Sequence, residues 1–295
     1  MYIPGFVLKP IAAVLKAFFS LIMPKWAKHG QRRLPIPVKA TIIALARALG
    51  LTYRDAVLLA VDLADVLGIE DVTTFQNLHA FAKRLRPEAI QDLIRLSGLL
   101  IVEIKGVGRL EIAVDSTGLR ITDSSSWYDH RVQRAADFFK LHVAMDLATK
   151  AIVLATATDR YCHDLTPMRE YFLAELEALA EDGYRIEFVS ADSAYASEDV
   201  YRRLEAIGAY PGIKPRRAKR GLHGRYYRRR CSEAFRRIAN RRWLLEAAFK
   251  SMKRLFGERI RARRPEERAK EALFKALVWN AALMAVLAME AMGAG

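Results

Sequence analysis

The chain has 295 residues, of which 52% are apolar and 27% charged, the balance of a globular protein with room for one large domain or two smaller ones. Its two cysteines, Cys162 and Cys231, exclude a disulfide framework and fit a reducing cytosol. Lys and Arg number 48 against 33 Asp and Glu, and the net charge of +15 points to a polyanionic partner, nucleic acid or an anionic membrane surface.

From residue 1 to about 105 the pattern reads as an all-helical N-terminal domain. The apolar clusters between Ile3 and Trp26 are interrupted by Pro4, Lys9, Pro10 and Lys16. They fall short of the roughly 20 apolar residues of a membrane span, so they read as a core helix. A signal peptide is the alternative, because a basic residue precedes a short apolar run. Pro35 and Pro37 separate the next helix, Val38 to Leu49, which Gly50 stops. Thr52 can cap a helix over Asp55 to Leu67, and Thr73 or Thr74 another that runs to Leu85 and stops at Pro87. Short helices with tight turns are compatible with DNA reading by a helix-turn-helix, and equally with a bundle of any function.

At Gly106 the period changes. Leu110 to Asp115 alternates as a strand, followed by strands over Phe139 to Leu147 and Ile152 to Ala157 with a turn between Asp146 and Lys150. A helix over Leu165 to Glu181 leads to a fourth strand, Arg185 to Ala191. A helix over Ser197 to Ile207 leads to a fifth, Tyr210 to Lys214. Helices over Ile238 to Phe256 and Glu267 to Met292 close the chain; the apolar run from Ala276 to Met292 is broken by Asn280 and Glu290 and reads as core. This order predicts an α/β domain over 106–295 with an RNase H-like mixed five-stranded sheet flanked by helices, preceded by the helical domain over 1–105.

The charge excess is concentrated between the fifth strand and the next helix. From Lys214 to Arg242 there are 13 Lys and Arg, among them Arg216, Arg217, Arg228, Arg229 and Arg230, against the single acid Glu233. Tyr210, Tyr226, Tyr227 and Phe235 are interleaved. Arginine forks suit phosphates and aromatic faces suit bases or sugars, although a solvated loop would read the same way.

Three acids stand out by position. Asp115 closes the first strand, Asp192 the fourth, and Glu246 sits on the helix after the basic segment. Ligands of open α/β sheets bind beyond the carboxyl ends of strands. Gathered carboxylates need cations, and oxygen donors select Mg²⁺ or Mn²⁺. Two such ions suit in-line phosphoryl displacement. Helical phase puts Arg242, Glu246, Lys250 and Lys253 on one face, beside an apolar stripe of Leu245, Phe249, Met252 and Phe256. A plain salt-bridge ladder has the same spacing. Asp164 or Thr166 fits a helix cap, and His142 a structural position. Ser116 and Ser193 lack the His/Asp arrangement of a serine nucleophile, and Cys162-His163-Asp164 lacks a second ligand pair for zinc.

The blocks Val114-Asp115-Ser116-Thr117-Gly118-Leu119, Ala191-Asp192-Ser193-Ala194-Tyr195 and Arg242-x3-Glu246-x6-Lys253 resemble the signature blocks of the DDE transposases of prokaryotic insertion sequences. The resemblance spans about Leu110 to Leu283. It implies an RNase H-like fold, Asp115, Asp192 and Glu246 as catalytic metal-binding carboxylates, and two Mg²⁺ or Mn²⁺ ions. It also implies double-stranded DNA partners, namely the element's terminal inverted repeats and target DNA, with a homodimer assembled on DNA and no membrane. Arg242, Lys250, Lys253 and the basic segment would contact DNA. One departure is Ala239, where related transposases often carry Tyr three residues before the Arg. A metal-dependent nuclease or resolvase on the same fold, and a non-catalytic DNA-binding derivative, remain as alternatives.

Overall fold

The computed structural model describes residues 5–25, 34–70, 73–121, 137–214, 233, 236, 238, 241 and 243–293. Six helices come first: α1 (Gly5–Ile22), α2 (Ile36–Ala48), α3 (Tyr53–Asp62), α4 (Ala64–Leu67), α5 (Phe75–Arg84) and α6 (Pro87–Ile104). Thr52 caps α3 in a capping box with Asp55, and Thr74 caps α5. Pro87 ends one helix and also opens the next, because a proline at the first helical position sacrifices no intrahelical hydrogen bond.

The sheet contains β1 (Leu110–Ile121), β2 (Phe138–Asp146), β3 (Ile152–Asp159), β4 (Ile186–Ala191), β5 (Tyr210–Ile213) and the two-residue β6 (Arg259–Ile260). Its order is β3-β2-β1-β4-β5. The β1–β2–β3 ladder is antiparallel, β4 and β5 run parallel to β1, and β6 pairs with the end of β1. This is the RNase H-like arrangement, with a sixth strand added to the five expected. A two-residue strand leaves no alternation for sequence to show.

Helices cover both faces. α7 runs through Leu165–Pro167, a π turn at Met168–Phe172 and Leu173–Glu181. With α8 (Glu198–Ala206), it packs on the face that presents Ile112, Val114, Val189 and Ala191. The other face presents Ala113, Leu119, Leu141 and Val143. It is covered by α9 (Trp243–Phe256) and α10 (Pro265–Gly293), whose apolar core continues through α6 to α1. Residue 106 lies between α6 and β1, and apolar packing runs across that point.

α10 is long and apolar enough to cross a membrane, but 67% of its most apolar window is buried within the protein. It carries buried Lys270, Glu271, Lys275 and Asn280, each with polar partners. Asn280 is the main bolt: its Oδ1 accepts from the Ile152 N–H, and its Nδ2 donates to the Ile152 and Ile94 carbonyls and to Ser97 Oγ. Gly98 lets α6 approach the same strand, since a Cβ there would sit 2.3 Å from the Ile152 carbonyl oxygen.

Candidate active site

β1 is longer than the alternation of its first six residues suggests, so Asp115 lies in mid-strand and not at its end. The strand continues because β2 pairs with it as far as Arg120, opposite Phe138, and β6 pairs with Arg120 and Ile121. β4 stops at Ala191. Asp115 therefore sits where its parallel neighbour ends, with one flank open.

Register brings the two aspartates together. Ala113 pairs with Ser190 at the end of the ladder, so Asp115 and Asp192 each lie two residues beyond that pair, and both charges act on the buried Tyr195 phenol. Ala191 pairs with Ile213, and the Lys214 N–H donates to the Ala191 carbonyl at 3.4 Å. One step on, exposed Lys214 extends the row. Asp192 and Lys214 thus each follow directly on the last residue of β4 and β5.

Alternation sets which way they face. Asp115 shares its side of β1 with Ala113 and Leu119, which belong to the core that α9 covers. Asp192 follows the parity of Ser190, the partner of Ala113. Each carboxylate is oriented by a backbone donor: Ser116 N–H to Asp115 Oδ1 at 2.8 Å and Ala194 N–H to Asp192 Oδ1 at 2.7 Å.

α9 crosses this same face. Its stripe of Leu245, Phe249, Met252 and Phe256 is buried, as the spacing predicts, and Glu246 and Lys250 are exposed. Two anchors set its course. Just before it, Arg241 forms an ion pair with Glu111 on β1. Near its end, burial holds the half-exposed Lys253 ammonium below the usual lysine range; Glu258 opposes that shift and Arg120, at the end of β1, adds to it. The helix thus runs with β1, and Glu246 lies between the two anchors. Ile238 docks further along the face, in a notch left by Gly212 on β5, where a Cβ would collide with it. Arg242, Arg216, Arg217, Arg228, Arg229 and Arg230 lie outside the described residues.

Among the described residues no three His, Cys, Asp or Glu side chains converge closely enough to hold a metal ion. Asp115 and Asp192 are brought together, and Glu246 does not join them in a three-carboxylate group. The pair is nevertheless a hard-oxygen donor set with fixed orientation, which fits Mg²⁺ or Mn²⁺ and not a thiolate-seeking metal.

The opposite side of β1 holds a polar network that sequence did not reveal. Lys140 donates to Asp164 Oδ1 at 3.0 Å and to the Cys162 carbonyl at 2.8 Å. His142, opposite Ser116 on β2, pairs with Thr158 Oγ1 at 2.8 Å; burial pushes its pKa down to about 4. Tyr195 is fully buried beside these groups. Its phenol is pushed well above the ordinary range by burial first, and then by the charges of Asp164, Asp115 and Asp192. This network floors the aspartate row. Its members are ordinary polar residues in sequence, and only strand pairing collects them.

The family model of the transposase DDE domain matches residues 107–281. Two solved structures resemble this chain over 89% of its length and 82% of theirs. They are a Mos1 transposase paired-end complex with left transposon end, at 13% identity and a TM-score of 0.25, and a pre-cleavage Mos1 transpososome, at 12% and 0.22. Likeness that distant adds no weight to the site. No curated protein matches the sequence.

Proposed function

This chain belongs to the transposase DDE domain family, and from that premise we propose that it is an insertion-sequence transposase that cuts DNA at its element's ends and joins them to target DNA. The observation that carries the reading is that Asp115 and Asp192 each lie two residues beyond the paired Ala113 and Ser190, where both act on buried Tyr195.

In this reading Asp115, Asp192 and Glu246 are the carboxylates that would hold the metals. Two divalent ions bound there would supply activation of the attacking oxygen and stabilisation of the leaving oxygen. The chain's own contribution is placement. The Ser116 and Ala194 amides fix the carboxylates, and buried His142 and Tyr195 underlie the row. Lys214, at the open end, is positioned to meet a phosphate, and Arg242, Lys250 and Lys253 extend that contact along α9. The basic segment over 214–242 grips DNA more broadly, and two chains assembled on a pair of element ends would bring both to one target.

The joining step is tested by supplying pre-cut ends bearing a 3′-OH together with a target plasmid and Mg²⁺. Joined product is expected. Cleavage of uncut ends without any joining would overturn the transposase reading and leave a nuclease or resolvase.

A further inference from the structure

A second basic surface lies outside the 214–242 segment. Residues 253–264 carry six cations, Lys253, Arg254, Arg259, Arg261, Arg263 and Arg264, against one acid, Glu258. Exposure alternates with a period of two: Arg259 out, Ile260 in, Arg261 out, Ala262 in, Arg263 out. Successive outward arginines are therefore about 6.6 Å apart, on the scale of neighbouring phosphates along one nucleic-acid strand.

The backbone beneath them is clamped from inside the protein. The fully buried Glu271 accepts from the Arg261 N–H at 3.0 Å and the Ala262 N–H at 3.1 Å, and pairs with Arg47 at 3.0 Å. Arg268 Nε donates to the Ala262 carbonyl at 3.0 Å, and Lys275 Nζ to the Phe256 carbonyl at 2.8 Å. A loop that merely shed charge into solvent would need no such frame. A rigid frame lowers the ordering cost of binding a polyanion.

The arginine heads themselves are left for something else. Among the described residues no carboxylate forms an ion pair with Arg259, Arg261, Arg263 or Arg264. Glu258 lies 3.7 Å from Arg120 instead, and Asp55, which feels Arg261, is bound into the Thr52 capping box. β6 lies beside the end of β1, and Arg259 pairs with Arg120, five residues beyond Asp115 on that strand.

We propose that Arg259, Arg261, Arg263 and Arg264 form a second contact surface for the phosphate backbone of duplex DNA, beyond the aspartate row along the edge of β1 that β4 also pairs with. The inference rests on the DNA reading above and assigns it a second surface. Phosphate recognition by this strip is independent of sequence, so its signature is the salt dependence of binding.

The test measures duplex affinity from low to moderate salt for the full chain, for the variant Arg259→Gln/Arg261→Gln/Arg263→Gln, and for a control, Lys105→Gln/Arg185→Gln, at the opposite end of the sheet. Circular dichroism confirms that all three are folded. The triple variant is expected to lose about 2 to 3 units of log–log salt slope and the control much less. An unchanged slope in the triple variant, an equal loss in the control, or a loss seen only with anionic vesicles would overturn the proposal. Absence of duplex binding by the unsubstituted chain would instead overturn the DNA reading itself.

Discussion

Arg241 is ion-paired with Glu111, five residues before Glu246 on one segment and four before Asp115 on the other. Both partners are partly exposed, so the pair contributes no more than about 1 kcal/mol to stability. Its effect is on where α9 starts. Glu111→Gln and Arg241→Gln should each slow DNA cleavage about 10-fold or more while leaving the urea midpoint almost unchanged, and the double variant should be no slower than either single one. Additive losses would mean that the two side chains act separately.

Gly98 and Asn280 make a prediction about folding. An alanine Cβ at Gly98 meets the Ile152 carbonyl 2.3 Å away, and backbone cannot give way as a side chain can. Gly98→Ala should cost at least about 3 kcal/mol, and Asn280→Leu a similar amount, because it strands the buried Ile152 amide and carbonyl. Denaturant unfolding measures both. A loss below about 1 kcal/mol in either would show that α6 and α10 do not clamp β3 in this way.

His142 ties stability to pH. Burial depresses its pKa from 6.5 to about 4, reinforced by Lys140 and opposed by Asp164. Above pH 6.5 the ring is neutral folded or unfolded. Below it the unfolded chain gains a proton that the native state refuses, so stability is lost between pH 6.5 and 4, about 2 kcal/mol of it by pH 5. Unfolding measured at pH 7 and pH 5 should show this loss in the parent chain and a smaller one, by about that amount, in His142→Gln. Equal losses would assign the pH dependence to other groups.

How much of this was legible beforehand depended on range. The six-residue alternation before Asp115 is local, and so is the 3.6-residue stripe of Leu245, Phe249, Met252 and Phe256; both could be read directly. The continuation of β1 through Ser116, Thr117 and Gly118 could not, because those residues are held in the strand by β2 and β6 and not by their own preferences. Lys214 was visible as the start of a basic run. That its N–H reaches the Ala191 carbonyl, one residue before Asp192, is a fact of β4–β5 pairing, which no sequence spacing encodes. Arg259, Arg261 and Arg263 have no spacing that sets them apart from the denser 214–242 run, and it is the contacts of Glu271 and Arg268, on the following helix, that fix the backbone turning them outward.

The central claim is that Asp115 and Asp192 are one metal-binding pair serving phosphoryl transfer. It is tested most directly by Mg²⁺-dependent nicking of the chain's own element ends, comparing the parent protein with Asp115→Asn and Asp192→Asn at matched duplex binding. Each substitution keeps the shape and removes the charge, so each should lower the nicking rate on the order of 1,000-fold while duplex affinity in the absence of metal is kept. Full nicking activity in either variant would contradict the account.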